Sequence, residues 1–209
     1  MKFNPQFAYH YFVKNLIRKG DVIIDIGANL GYYSILFARW VGPSGKVLSV
    51  EPIPVYNKIF QEKAKKYKKI VLYPYALGSE EKTVELVSST RGGYLRTGLS
   101  HIYNAEKDGL IDQQGFKVEA HMKMASELFK NLDRLDYIKC DIEGDEYTVL
   151  SDMEEIIRKY KPVIQVEVND EKISPFLNGL GYQSYKLHKN RLIREEPNKP
   201  LKGDYIFRV

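Results

Sequence analysis

The chain has 209 residues, 44% of them hydrophobic, a formal net charge of +5 and one cysteine. That length suits one domain, residues 1–209, with a sizeable core, and the sequence offers neither an apolar run of membrane-spanning length nor a charged-then-apolar leader. The lone Cys140 excludes an internal disulfide, so a soluble protein in a reducing, cytoplasmic setting is expected.

Residues 5–18 predict an amphipathic helix within an N-terminal unit of 1–20, with Phe7, Tyr11, Leu16 and Ile17 available for packing and a stop near Gly20. Val22-Ile23-Ile24-Asp25-Ile26 predicts a buried strand over 22–26. It runs into the glycine turn Gly27-Ala28-Asn29-Leu30-Gly31 and a helix over 30–41. The next strand, 46–50, stops at Glu51-Pro52-Ile53. Further strands are predicted at 70–75, 83–87, 135–141, 162–168, 182–187 and 203–208, and further helices at 54–66, 125–131, 145–160 and 171–180. Alternating strands and helices imply an α/β fold whose mostly parallel sheet is covered on both faces. Residues 88–122, rich in Gly, Ser, Thr, Arg and His, are too long for an ordinary connection. They are expected to be irregular and to form an acceptor site or lid.

The first turn has the ground plan of a nucleotide-shaped pocket. Gly27 and Gly31 let the backbone approach a ligand, and Gly27 also adopts turn angles that a side chain penalises. Asn29 is placed to cap the following helix or to bond a ligand. Glu51, ending the second strand, is placed to accept hydrogen bonds from two ribose hydroxyls. The loop departs from G-x-G-x-x-G, and Asp25 stands beside the turn where a phosphate would want only amide donors and a positive helix end. A carboxylate there suits a cationic ligand.

These blocks extend along the chain as Val22 to Ser34, then Val50-Glu51-Pro52-Ile53-Pro54, then Tyr75-Ala76-Leu77-Gly78, and last Tyr137-Ile138-Lys139-Cys140-Asp141-Ile142-Glu143-Gly144-Asp145-Glu146 with Val149-Leu150. In that order they resemble the FkbM family of methyltransferases over roughly residues 20 to 170. The resemblance implies a Rossmann-like methyltransferase fold: a mostly parallel seven-stranded sheet with a C-terminal antiparallel hairpin, and helices on both faces. It also implies S-adenosylmethionine as cofactor and, for most members, methylation of a hydroxyl oxygen on a sugar or polyketide-like compound. By that resemblance Asp25 lies near the amino acid portion of the cofactor, Glu51 holds its ribose, and Asp141 and Glu143 belong to the second signature.

Methyl transfer needs alignment of acceptor, methyl and sulfur and a destination for the acceptor's proton. Asp141 and Glu143 at the end of the fourth main strand are the candidate catalytic pair, with Asp141 also a cofactor contact. His101, near Arg91 and Arg96 in the irregular segment, is a third catalytic candidate because a loop imidazole titrates near neutrality. Pro52, Ile53, Ala76 and Leu77 are expected to border the adenine, with Ser79 at its edge, and Tyr32 and Ser34 to face the methionine end. Glu167 and Asn169 reach the same edge as Asp141 and with it could make an oxygen-ligand metal site. Their order departs from the Asp-Asn pair of catechol-type O-methyltransferases, so contact with the acceptor is preferred and no metal is assigned.

The expected partner is a small hydroxylated acceptor such as a sugar; neither nucleic acid nor a membrane is expected. Much of the positive charge sits on Lys58, Lys63, Lys65, Lys66, Lys68 and Lys69 around one helix, the pattern of a solvated face. An RNA or protein methyltransferase, and a non-catalytic S-adenosylmethionine-binding partner subunit, remain as alternatives. Against the first, the fourth-strand block lacks the Asn/Asp-Pro-Pro-aromatic tetrapeptide of many amino-group methylases.

Overall fold

The computed structural model describes residues 12–91, 94–102, 115–196 and 199–209, with side chains described for 12–87, 117–196 and 199–209. The first half of the predicted 5–18 helix, 5–11, lies outside the described residues; in the second half the chain makes a short 3-10 turn, Lys14–Leu16. The elements then run β1 (Val22–Ile26), α1 (Tyr32–Val41), β2 (Lys46–Val50), α2 (Pro54–Ala64), β3 (Ile70–Tyr73), β4 (Ala76–Leu77), β5 (Lys82–Arg91), β6 (Tyr94–Ile102) and β7 (Gly115–Lys123). The second half holds α3 (Ala125–Leu128), β8 (Tyr137–Cys140), α4 (Glu146–Asp152), α5 (Glu154–Tyr160), β9 (Val163–Val168), α6 (Ile173–Gly179), β10 (Gln183–His188), β11 (Arg191–Arg194) and β12 (Gly203–Arg208). Among the described residues no helix is long and apolar enough to cross a membrane.

The main sheet has the order β11-β10-β12-β9-β8-β1-β2-β3. Its β3, β2, β1, β8 and β9 are parallel, and β12 enters antiparallel to β9. Alternation along each strand decides which helices it meets. Ile24, Ile26, Leu48, Ile138 and Ile164 pack on one face with Phe129, Leu150, Ile157 and Leu177 from the α3 to α6 half. Ile23, Val47 and Tyr137 point to the opposite face and pack under Phe37 and Val41 of α1. Burying both faces is what makes these strands nearly continuous in apolar residues.

Three features differ from expectation. The sheet has eight strands, because β11 pairs with β10 as a further antiparallel strand in a polar stretch that reads as a turn. The predicted 145–160 helix is broken at Met153 into α4 and α5. The segment 88–122 is not irregular where described: β5, β6 and β7 form antiparallel ladders that, with β4 paired parallel to β7, make a second, four-stranded sheet. Val84, Leu86, Ala120 and Met122 of that sheet pack with Ala76 against Ile53 and Tyr56 at the start of α2, which seats it beside the carboxyl ends of β1 and β2.

Candidate active site

Strand register arranges the site. Asp25 of β1 is the partner of Ser49 on β2 and of Lys139 on β8, and Lys139 is the partner of Gln165 on β9. Side chains alternate with period two, so these four form one polar row on the face under α1. Two residues further along each strand stand Glu51, Gly27, Asp141 and Glu167, with Asp204 of β12 paired to Glu167. The carboxyl edge is thus a row of acids interrupted by a glycine.

A cavity of about 340 Å³ opens along this edge. Gly27, Asn29, Glu51 and Pro52 line it from the β1 and β2 loops, and Ala76, Leu77 and Leu86 supply an apolar wall. Tyr32, Tyr33, Lys139, Asp141, Glu143 and Asp145 line the remainder.

The first loop owes its shape to contacts within the chain. The amides of Gly27 and Ala28 donate to the Val50 carbonyl at 3.1 and 2.9 Å. Gly27 has φ +77, and a Cβ there would lie 1.8 Å from the Asp141 carbonyl oxygen. Gly31, at φ +78, would drive a Cβ to 2.3 Å from the Phe60 ring of α2. Both glycines therefore answer to packing of the loop on its neighbours, and Gly31 does not line the cavity. Asn29 sits in the left-handed region at φ 52 and is not the helix cap; its Oδ1 accepts from the Leu30 amide at 2.7 Å, and Gly31 takes the N-cap position.

Glu51 ties two loops together. Its Oε2 accepts from the Asn29 amide at 2.9 Å and its Oε1 from the Ile53 amide at 2.8 Å. Burial pushes its carboxyl up to about 7 against the pull of those two amides. Between pH 4.5 and about 7 the native state therefore holds a proton that the unfolded state has lost, so stability falls as pH rises through that window and levels off above it. The expected total is about 3 kcal/mol. Urea unfolding of the unliganded protein and of Glu51→Gln across roughly pH 4–8 checks it: the wild type should lose ground to the variant through that window, and parallel curves would refute the assignment.

Asp25 does not reach the cavity. It is fully buried beneath it, where Oδ2 accepts from the Ser34 hydroxyl, which in turn accepts from Ser49 at 2.8 Å. Ser34 is accordingly inside the packing and does not face a ligand. Burial raises the Asp25 carboxyl, opposed by the nearby Lys139 ammonium. Ile53 is likewise buried behind the cavity, where it packs with Tyr56 and Ala76. His101 lies on β6 opposite Val87; its side chain is outside the described residues.

Glu143 is in the left-handed region at φ 63, and Gly144 follows at φ 141. This turn wraps around Glu146, a fully buried carboxylate that accepts from the amides of Ile142 at 3.0 Å and Gly144 at 3.1 Å. Glu146 is a functional-site neighbour that the motif pattern does not single out, although its place at the start of a helix two residues after Gly144 is a capping signal. One oxygen each from Asp141, Glu143 and Glu167 lie within 4.8 Å of one another. Glu143 is the third acid of this group. Such a cluster receives hydroxyl hydrogens or attracts a positive charge.

Strand order and a cofactor-sized cavity at the carboxyl edge define the Rossmann-like fold of methyltransferases. The chain belongs to the methyltransferase FkbM domain family, whose model matches residues 25–184. The cofactor of that family is S-adenosylmethionine. The fold is similar to the methyltransferase FkbM from Methylobacillus flagellatus, with a TM-score of 0.61 and 15% identity, covering 96% of this chain and 47% of that one. It is also similar to Aeropyrum pernix fibrillarin, a structure with natively bound S-adenosyl-L-methionine, at TM-score 0.51 and 11% identity over 93% of this chain and 68% of that one. A short stretch is similar to protein-L-isoaspartate O-methyltransferase 2 of Archaeoglobus fulgidus, 45% identical over 38 residues, which is 18% of this chain and 17% of that protein.

Proposed function

We propose that this chain is one S-adenosylmethionine-dependent methyltransferase unit that methylates a hydroxyl oxygen of a sugar or other small hydroxylated metabolite in the cytoplasm. The observation that carries the reading is the polarity of the cavity, with Glu51 at one end, apolar residues along one wall and a carboxylate group at the other end. These residues fit the cofactor. Each Glu51 oxygen holds one amide and keeps a lone pair for a ribose hydroxyl. Pro52, Ala76 and Leu77 suit the flat adenine, and Asp141, Glu143 and Asp145 suit the cationic end.

When bound, S-adenosylmethionine supplies a methyl group already activated by its sulfonium. The chain's part is then alignment and proton removal. Asp141 and Glu143 would orient the acceptor hydroxyl and accept its proton. The second sheet, which holds the described part of 88–122 and contributes Leu86 to the cavity wall, supports the reading of that segment as part of the acceptor site.

Incubation with S-adenosylmethionine carrying a labelled methyl group and with separate pools of sugars, small phenols, RNA and protein tests this reading. Label is expected on the small hydroxylated compounds, as a methyl ether. Label on RNA or protein alone would overturn it, and binding without transfer to any pool would favour a partner subunit.

A further inference from the structure

Among the described residues, Lys139 is the one buried lysine or arginine, 3% exposed at the middle of the main sheet. Its Nζ donates to Asp141 Oδ2 at 2.8 Å and lies 4.9 Å from the centre of the Tyr33 ring. Asp25 is its neighbour on β1 and Gln165 its neighbour on β9, where the Gln165 amide oxygen is taken by the Tyr137 hydroxyl at 2.9 Å. Burial opposes a charge at this position, but Asp141 and Asp25 outweigh it and hold the ammonium above its ordinary range. Glu167 and Asp204 stand at the same edge, and burial together with the Asp141 charge raises both. Lys139 therefore serves a crowd of acids, joined at Asp204 by Lys186 of β10, and it lines the cavity.

That crowd poses a problem for a methyltransferase. The substrate form of the cofactor carries a positive sulfur and the product form a neutral one. An uncompensated acidic edge would hold the substrate form tightly in its ground state, which adds binding without adding rate. We propose that Lys139 is a specificity-determining residue that offsets Asp141, so that the cavity holds S-adenosylmethionine and S-adenosylhomocysteine with similar strength. This rests on the S-adenosylmethionine-dependent reading of the cavity. Asp141, with a side chain 42% exposed, keeps Oδ1 for the acceptor while Oδ2 is pinned from below.

Calorimetric titration of the wild type, Lys139→Met, Lys139→Arg and Asp141→Asn with the two compounds tests it. The readout is the ratio of their dissociation constants, in which general loosening of the site cancels because the ligands share every part except the sulfur's methyl and charge. A unit charge about 6 Å away at an effective dielectric of about 40 corresponds to about tenfold, so Lys139→Met should shift the ratio about tenfold toward S-adenosylmethionine. Lys139→Arg should hold the wild-type ratio. Asp141→Asn should move it the opposite way, which keeps the inference testable where Lys139→Met does not fold. Equal weakening of both ligands in Lys139→Met, or an unmoved ratio in Asp141→Asn, would make Lys139 a packing residue and overturn the inference while leaving the cofactor reading intact. A wild type that binds neither compound would bring down both.

Discussion

Glu51→Ala should weaken binding of S-adenosylhomocysteine by about 3 kcal/mol, on the order of a hundredfold, the upper end of the scale for hydrogen bonds to a charged group. The size follows from the double duty of the side chain. Its oxygens receive the Asn29 and Ile53 amides, so the substitution removes the proposed acceptor for ribose hydroxyls and also frees two loops, one of which contributes Asn29 to the cavity lining. Glu51→Gln should lose less, about tenfold, because the amide oxygen still accepts from one of the two loops. Titration with 5′-methylthioadenosine and with its 2′-deoxy analogue separates the two roles. A ribose contact predicts that the penalty of Glu51→Gln shrinks for the deoxy compound; an equal penalty for both would leave Glu51 with loop support alone.

Glu51 was legible in the sequence because an acid that stops a short apolar strand is a local signal, and the five main strands with their helices were legible for the same reason of local periodicity. The second sheet was also written locally. Val118, Ala120 and Met122 alternate with the more exposed Lys117, Glu119 and His121, the pattern of a half-buried strand, but the Gly, Ser and Thr content around it reads as loop. The polar row, by contrast, has no local signal. Ser49, Asp25, Lys139 and Gln165 each sit between two apolar neighbours inside a strand, and strand register alone makes them neighbours. In the sequence Lys139 is one letter of a family signature; the sheet gives it a chemical role. Asp25 shows the converse: its position in the motif suggests a ligand contact, but period two turns it into the core, where Ser34 meets it. The motif lies at the cavity while the Asp25 side chain packs underneath it.

The two glycines of the first loop should differ in how their replacement can be relieved. Gly27→Ala sets a Cβ 1.8 Å from the carbonyl oxygen of Asp141 and 2.9 Å from its carbon. Both belong to the backbone that leaves β8, held by the Asp141 amide bond to the Ile26 carbonyl at 3.2 Å. Neither rotamer change nor a small side-chain shift clears it, so β1 and β8 must part at the edge that carries the cavity. A loss of about 4 kcal/mol or more is expected, within the range reserved for broken cores and backbone strain. Gly31→Ala meets the Phe60 ring at 2.3 Å, and that obstacle is a side chain. Its cost should be about 3 kcal/mol, made of overpacking and a left-handed backbone that a side chain penalises. Adding Phe60→Ala to Gly31→Ala should then cost about 1–2 kcal/mol less than the sum of the single changes, since the cavity left by the ring receives the new methyl. The same Phe60→Ala added to Gly27→Ala should be additive, because the ring is not what the second methyl strikes. Urea unfolding of the single and double variants measures both cycles. Additivity in the Gly31 cycle would mean that its left-handed φ, and not α2, is what demands glycine there; coupling in the Gly27 cycle would mean that the loop moves as one body against α2.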